Sequence, residues 1–175
     1  MADEKVEAIC KEIDEVVVPA NYNCPGQIVI AGATKTVETA AERMKEAGAK
    51  RAVMLNVSAP FHSTLLQPAA DRLAEELDKI TILDANVPVV ANIDGQIETD
   101  KDVIKASLVK QAASPVLWED CVATMIGAGA DTFVEVGPGK VLCGFTKKID
   151  RSMQNLNVED LESLHKTLEF FKGVR

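Results

Sequence analysis

The stretch VVVPANYNCPGQIVIAG, residues 16–32, does most to limit the fold. Two runs rich in β-branched residues meet at Cys24-Pro25-Gly26, where proline presets φ and glycine permits a sharp reversal. Such runs pack well on a pleated surface and crowd a helix, so they read as paired strands. Helical patterns flank them. From Asp3 to Ile13, the residues Val6, Ile9, Cys10 and Ile13 fall on one stripe. Behind the strands, Thr34 is placed to cap a second helix that runs to Ala47 and closes at Gly48.

RAVMLNV, residues 51–57, then reads as a third strand. The order helix, strand, strand, helix, strand is a ferredoxin-like βαββαβ unit lacking its first strand. That vacancy would leave a sheet edge open. Either another stretch supplies the strand, or Met1 is not where the natural domain starts. After residue 57 the pattern becomes α/β. Helices are expected over 65–80, 100–112, 118–126 and 140–149, and strands at VPVVANI, DTFVEV and NLNV. A last helix is expected with Asn157 as its N-cap. Alternating strands and helices imply a parallel sheet covered on both faces. The expected division is 1–57 for the small incomplete subdomain and 58–175 for the rest.

Charge and cysteine placement narrow the function classes. A net charge of −8 disfavours nucleic acid and anionic membrane surfaces as partners. No apolar run reaches spanning length, and MADEKVEAIC lacks a signal-peptide pattern. Cys10, Cys24, Cys121 and Cys143 are scattered, with no CxxC pair to suggest zinc or a disulfide framework. Neither a metal nor a cofactor is expected, and a reducing cytoplasm fits.

Of the two histidines, His165 lies in the terminal amphipathic pattern among Glu162, Lys166 and Glu169 and reads as a solvated helix residue. His62 follows Pro60 and Phe61, between an apolar run and a helical one. Two roles fit it: a general base poised near neutral pH, or a loop histidine bonded to backbone. None of Ser58, Ser63, Ser107, Ser114, Ser152 and Ser163 has glycine two residues before and after it, as a nucleophile elbow requires. Ser63 reads as a helix cap. EVGPGKVL, residues 135–142, is a tight strand-to-helix turn, or an anion site with Lys140 reaching a phosphate. Asn21 and Asn23 straddle Tyr22 with strand spacing, and so could face one cleft; ordinary strand-end hydrogen bonding explains them as well.

Five blocks, ANYNCPGQIVIAG, AGAKRAVMLNVSAPFHS, LLQPAADRLAEEL, LVKQAASPVLWEDCV and FVEVGPGKVLCGFTKKI, resemble in order the malonyl-CoA:acyl carrier protein transacylase family. The resemblance runs to about Ile149. It implies an α/β-hydrolase-like large subdomain with an inserted ferredoxin-like small one. It also implies malonyl transfer from coenzyme A to the phosphopantetheine thiol of acyl carrier protein, in fatty acid biosynthesis. By this resemblance His62 is the base and the main-chain carbonyl of Gln111 orients it, while Asn21 and Asn23 line the cleft. The family's glutamine-glycine loop, serine elbow and carboxylate-binding arginine belong to an N-terminal half that has no counterpart here. On that basis the isolated chain is expected to be inactive.

Two other readings fit the same residues. One is a non-catalytic module that binds acyl carrier protein or a complementary chain, with Lys50, Arg51, Lys147, Lys148 and Arg151 as candidate docking cations. The other is an acyl-CoA hydrolase, which would still need a nucleophile.

Overall fold

The computed structural model describes residues 1–173, and it is a mixed α/β protein. It divides into two compact units, Met1–Cys121 and Val122–Arg175.

In the first unit, helix α1 (Asp3–Lys11) precedes strands β1 (Val17–Cys24) and β2 (Gln27–Gly32) and helix α2 (Thr34–Glu46). β1 and β2 are antiparallel, joined through Pro25-Gly26 as the turn signal implies. α1 buries Val6, Ile9 and Cys10, and α2 buries Thr36, Ala40 and Met44. These are i, i+3, i+4 and i, i+4, i+8 sets, which a helix brings to one face. Val6, Ile9, Cys10, Val17, Ala40 and Met44 form the core. Each Val- or Ile-sized side chain buried there contributes roughly 1.5–3 kcal/mol. Gly48 has φ 96° beyond the end of α2, as expected of a C-terminal glycine. Thr34 does not cap α2 through its side chain. It is the first helical residue, and Ala33 holds the cap position.

The third strand of this sheet is not the one the sequence suggests. Residues 51–57 make no ladder, and Val53, Met54, Leu55 and Val57 are all exposed. β propensity describes how side chains fit a pleated surface, but a strand exists only where a neighbour accepts its hydrogen bonds. Here the visible bond is local, Val57 N–H to the Leu55 carbonyl at 3.0 Å. The position beside β1 is filled by β5 (Val116–Leu117), parallel to it at Asn21 and Tyr22, which gives the order β2-β1-β5.

After a 3-10 turn (Thr64–Leu66) come α3 (Gln67–Leu77), a hairpin of β3 (Val89–Val90) and β4 (Ile97–Glu98), and α4 (Lys101–Gln111). Asp100 caps α4, accepting from the N–H groups of Asp102 and Val103. VPVVANI therefore supplies only a short hairpin strand. Gly95 turns the hairpin at φ 65°, where a side chain would be strained, and a Cβ there would stand a tight 3.0 Å from Asp120 Cβ.

α5 (Trp118–Gly127) carries the chain into the second unit. There β6 (Thr132–Val136) and β7 (Gln154–Val158) pair in parallel through α6 (Val141–Ile149), followed by α7 (Leu161–Gly173). Among the described residues, parallel pairing is seen in two short ladders, β1 with β5 and β6 with β7. Asn157 is not the cap of α7, because it pairs with Glu135 inside β7. Asp160 takes that role, accepting from Ser163 N–H at 2.8 Å.

Candidate active site

His62 is held in an uncommon conformation. It is the one non-glycine residue with positive φ among the described residues, at 59°. In that left-handed region an L residue brings its Cβ close to the following carbonyl, at a cost of roughly 1–2 kcal/mol. Such strain persists where surrounding bonds over-determine it, and two bonds do so here. Ser63, 1% exposed, donates its hydroxyl to the Pro60 carbonyl at 2.7 Å and closes the turn that contains His62. Ser63 thus holds the cap position of the 3-10 turn without capping it by its side chain.

The second bond joins His62 Nδ1 to the main-chain carbonyl of Gln111 at 3.0 Å. Gln111 is the last residue of α4, so its carbonyl belongs to the set that a helix leaves without an intrahelical partner. Pro115, following Ser114, biases the chain out of the helical region and helps end α4 there. A carbonyl can only accept, so Nδ1 carries a proton, and in the neutral imidazole that tautomer leaves the lone pair on Nε2. His62 is half-buried. The result is an imidazole with fixed tautomer and direction, capable of taking a proton at Nε2.

The other sequence candidates are distributed as follows. Asn21 and Asn23 are half-buried on β1, but the register shifts between Pro19 and Asn21 and again between Tyr22 and Cys24. These bulges interrupt the strict alternation on which a shared face depends. His165 is exposed on α7. The Gly137-Pro138-Gly139 turn already carries internal anions. Glu135 accepts from the N–H groups of Leu142 and Cys143 at 3.1 and 2.8 Å, and Glu159 accepts from Gly139 N–H at 3.0 Å. Burial pushes the Glu135 carboxyl up, but the N–H groups of Cys143, Leu142 and Val141 outweigh it and hold it below the usual range. Lys140 lies 3.7 Å from Glu159. The donors that would have taken a phosphate are thus occupied by the protein's own carboxylates.

The cysteines are thiols, with Cys10, Cys24 and Cys121 buried. Burial pushes Cys10 and Cys121 up to about 11. Among the described residues, no group of three or more His, Cys, Asp or Glu side chains could hold a metal ion. No helix among them is long and apolar enough to cross a membrane.

Sequence reasoning missed Asn92, whose carboxamide donates to Gln111 Oε1 at 3.2 Å. The signal was present, as a polar residue ending the apolar run VPVVA just before the Asp94-Gly95 turn.

The fold and site thus define a mixed α/β protein bearing an oriented, part-buried imidazole. The acyl transferase domain family matches residues 1–168. The malonyl CoA-acyl carrier protein transacylase of Bacillus subtilis is 48% identical over 153 residues, covering 87% of this chain and 48% of that protein. The Staphylococcus aureus transacylase is 42% identical over 92% of this chain and 53% of its own length. Among solved structures, the Clostridium perfringens transacylase superposes with TM-score 0.94 at 46% identity, covering 99% of this chain and 55% of that one. A malonyl-transacylase solved in complex with a type II polyketide acyl-carrier protein gives TM-score 0.93 at 42% identity, covering 97% of this chain and 55% of that one. This chain belongs to the acyl transferase domain family, and it spans about half the length of the relatives it matches.

Proposed function

We propose that this chain provides the general base for malonyl transfer from coenzyme A to the phosphopantetheine thiol of acyl carrier protein, in the cytoplasmic synthesis of fatty acids. The observation that carries the reading is His62 Nδ1 bonded to the Gln111 carbonyl, which leaves Nε2 free. His62 would take a serine proton there as the serine attacks the malonyl thioester, and return it to the departing thiolate. A second half-reaction would pass the malonyl group to the carrier thiol. Asn21 and Asn23 would line the cleft. Helices α1 and α2 with strands β1 and β2 would belong to a ferredoxin-like subdomain, and the later helices and strands to part of a hydrolase-like one.

None of the six serines has an elbow context, so the serine would come from the part of the enzyme that this chain does not span. The test incubates labelled malonyl-CoA and acyl carrier protein with the chain alone, and with the remaining part of the Bacillus subtilis relative supplied in trans. Transfer is expected only in the mixture, and His62→Ala abolishes it. A stable malonyl adduct on this chain alone, or transfer indifferent to His62→Ala, would overturn the proposal. Carrier proteins are acidic, so docking would use exposed cations such as Lys50 and Arg51 and weaken as salt is added.

A further inference from the structure

We propose that Asn92 is a positioning residue, acting through Gln111 to keep His62 in the tautomer that leaves Nε2 free. The inference rests on the reading of His62 as the base. Gln111 is held at two ends. Its main-chain carbonyl accepts from His62 Nδ1 at 3.0 Å, and its side-chain Oε1 accepts from Asn92 Nδ2 at 3.2 Å.

The helix does not set the direction of that carbonyl. The N–H of Ala113 turns back to the Lys110 carbonyl at 3.1 Å, not to Gln111. A helix-terminal peptide without an intrahelical partner can rock, and a rocking acceptor lets the imidazole exchange its two neutral tautomers. The Asn92 clamp supplies the restraint that the end of α4 lacks.

Asn92 is suited to this because its own position is fixed by its neighbours. Its carbonyl accepts from Leu117 N–H at 2.7 Å, tying it to β5. The Cys121 thiol, 1% exposed, lies 3.4 Å from the Ala91 carbonyl and 3.9 Å from Asn92 Oδ1. The adjoining hairpin is closed by Ala91 N–H to the Gln96 carbonyl at 3.0 Å and Gly95 N–H to the Ala91 carbonyl at 2.9 Å. Asn92 thus links a braced hairpin to the end of α4, and Gln111 passes the restraint on to His62 across 49 residues of sequence.

The experiment records ring-nitrogen NMR spectra of the ¹⁵N-labelled chain, with exposed His165 as internal reference and His62→Ala to assign the signals. In the wild type, His62 is expected to show a protonated Nδ1 and an unprotonated Nε2. Asn92→Leu, near in size but without the carboxamide, shifts both His62 nitrogens toward the averaged values of His165. Asn92→Asp restores the wild-type pattern, because the Gln111 amide can turn over and donate to the carboxylate. Gln111→Met keeps the main-chain carbonyl and removes only the side-chain link. It is expected to reproduce the Asn92→Leu shift, and it stands in should Asn92→Leu fail to fold.

Unchanged His62 nitrogens in a folded Asn92→Leu or Gln111→Met chain would overturn the proposal, as would a wild-type His62 without the Nδ1 proton. The spectra report the tautomer whether or not His62 serves a serine, and the trans-complementation assay reports the latter separately.

Discussion

His62 offers a test in which stability and chemistry part company. Replacing it by Ala removes the imidazole bond to the Gln111 carbonyl, a net loss of about 0.5–1.5 kcal/mol. It also leaves an alanine Cβ at φ 59°, so the left-handed cost of roughly 1–2 kcal/mol persists. Replacing it by Gly removes the same bond but relieves that cost. Against this, glycine loosens the unfolded chain by about 0.4–1 kcal/mol. The difference leaves His62→Gly more stable than His62→Ala by about 0.5–1 kcal/mol. Asn, which visits this region more readily than other side chains, should fall between them.

Urea denaturation followed by Trp118 fluorescence measures this directly. Trp118 is the single tryptophan and lies in the same compact unit as His62. The midpoints should rank Gly above Asn above Ala at constant slope, since a changed slope would signal altered compactness rather than altered stability. All three variants lose the proposed base equally, so complemented transfer should vanish even in the most stable of them. A glycine variant less stable than the alanine variant would refute the argument. It would mean that the backbone at residue 62 is unstrained or relaxes on substitution.

Ser63→Ala should cost about 0.5–1.5 kcal/mol by opening the bond to Pro60. It should also blur the His62 tautomer in the same ring-nitrogen spectra, and a variant with wild-type midpoint and spectra would show the turn to be held otherwise. Cys10 and Cys121, pushed up by burial to about 11 from 9.0, should carry roughly 100-fold less thiolate at pH 8 than unperturbed thiols. Iodoacetamide labelling read by peptide mass spectrometry should therefore leave both untouched until urea is added, and rapid native labelling would contradict their burial. Their stabilising contribution is complete below the unfolded thiol range and lost as pH rises toward about 11. Glu135 behaves oppositely, because its folded value is depressed. Its contribution is present above the ordinary value of 4.5 and lost as pH falls through the folded one. The urea midpoint should drop more steeply below that value in the wild type than in Glu135→Gln, and identical acid profiles would count against the carboxylate as the cap of α6.

Where the sequence was informative, the relevant physics was local. The paired strands about Pro25-Gly26 follow from β-branched runs and a turn that needs no distant partner, and helices α1 and α2 follow from apolar spacing. Residues 51–57 fail the same reading because propensity describes one chain segment, whereas a ladder needs two. Apolar runs that both read as strands become β1 beside β2 in one place and an exposed run at Val53–Val57 in the other, according to whether a neighbour accepts their hydrogen bonds. The site divides in the same way. His62 and Gln111 are 49 residues apart, and nothing in spacing or composition joins them. Their pairing was expected only from the family resemblance, and the structure brings the two atoms to bonding distance. Asn92 was absent from that reading because a carboxamide acting on another carboxamide leaves no charge pattern or motif. It becomes visible only once the hairpin and the end of α4 are placed side by side. The Gly137-Pro138-Gly139 turn shows the converse. Its local pattern was that of an anion site, and the anions proved to be Glu135 from the strand before it and Glu159 from beyond α6. A glycine turn at a helix start specifies what charge can sit there, and only the rest of the fold specifies whose charge it is.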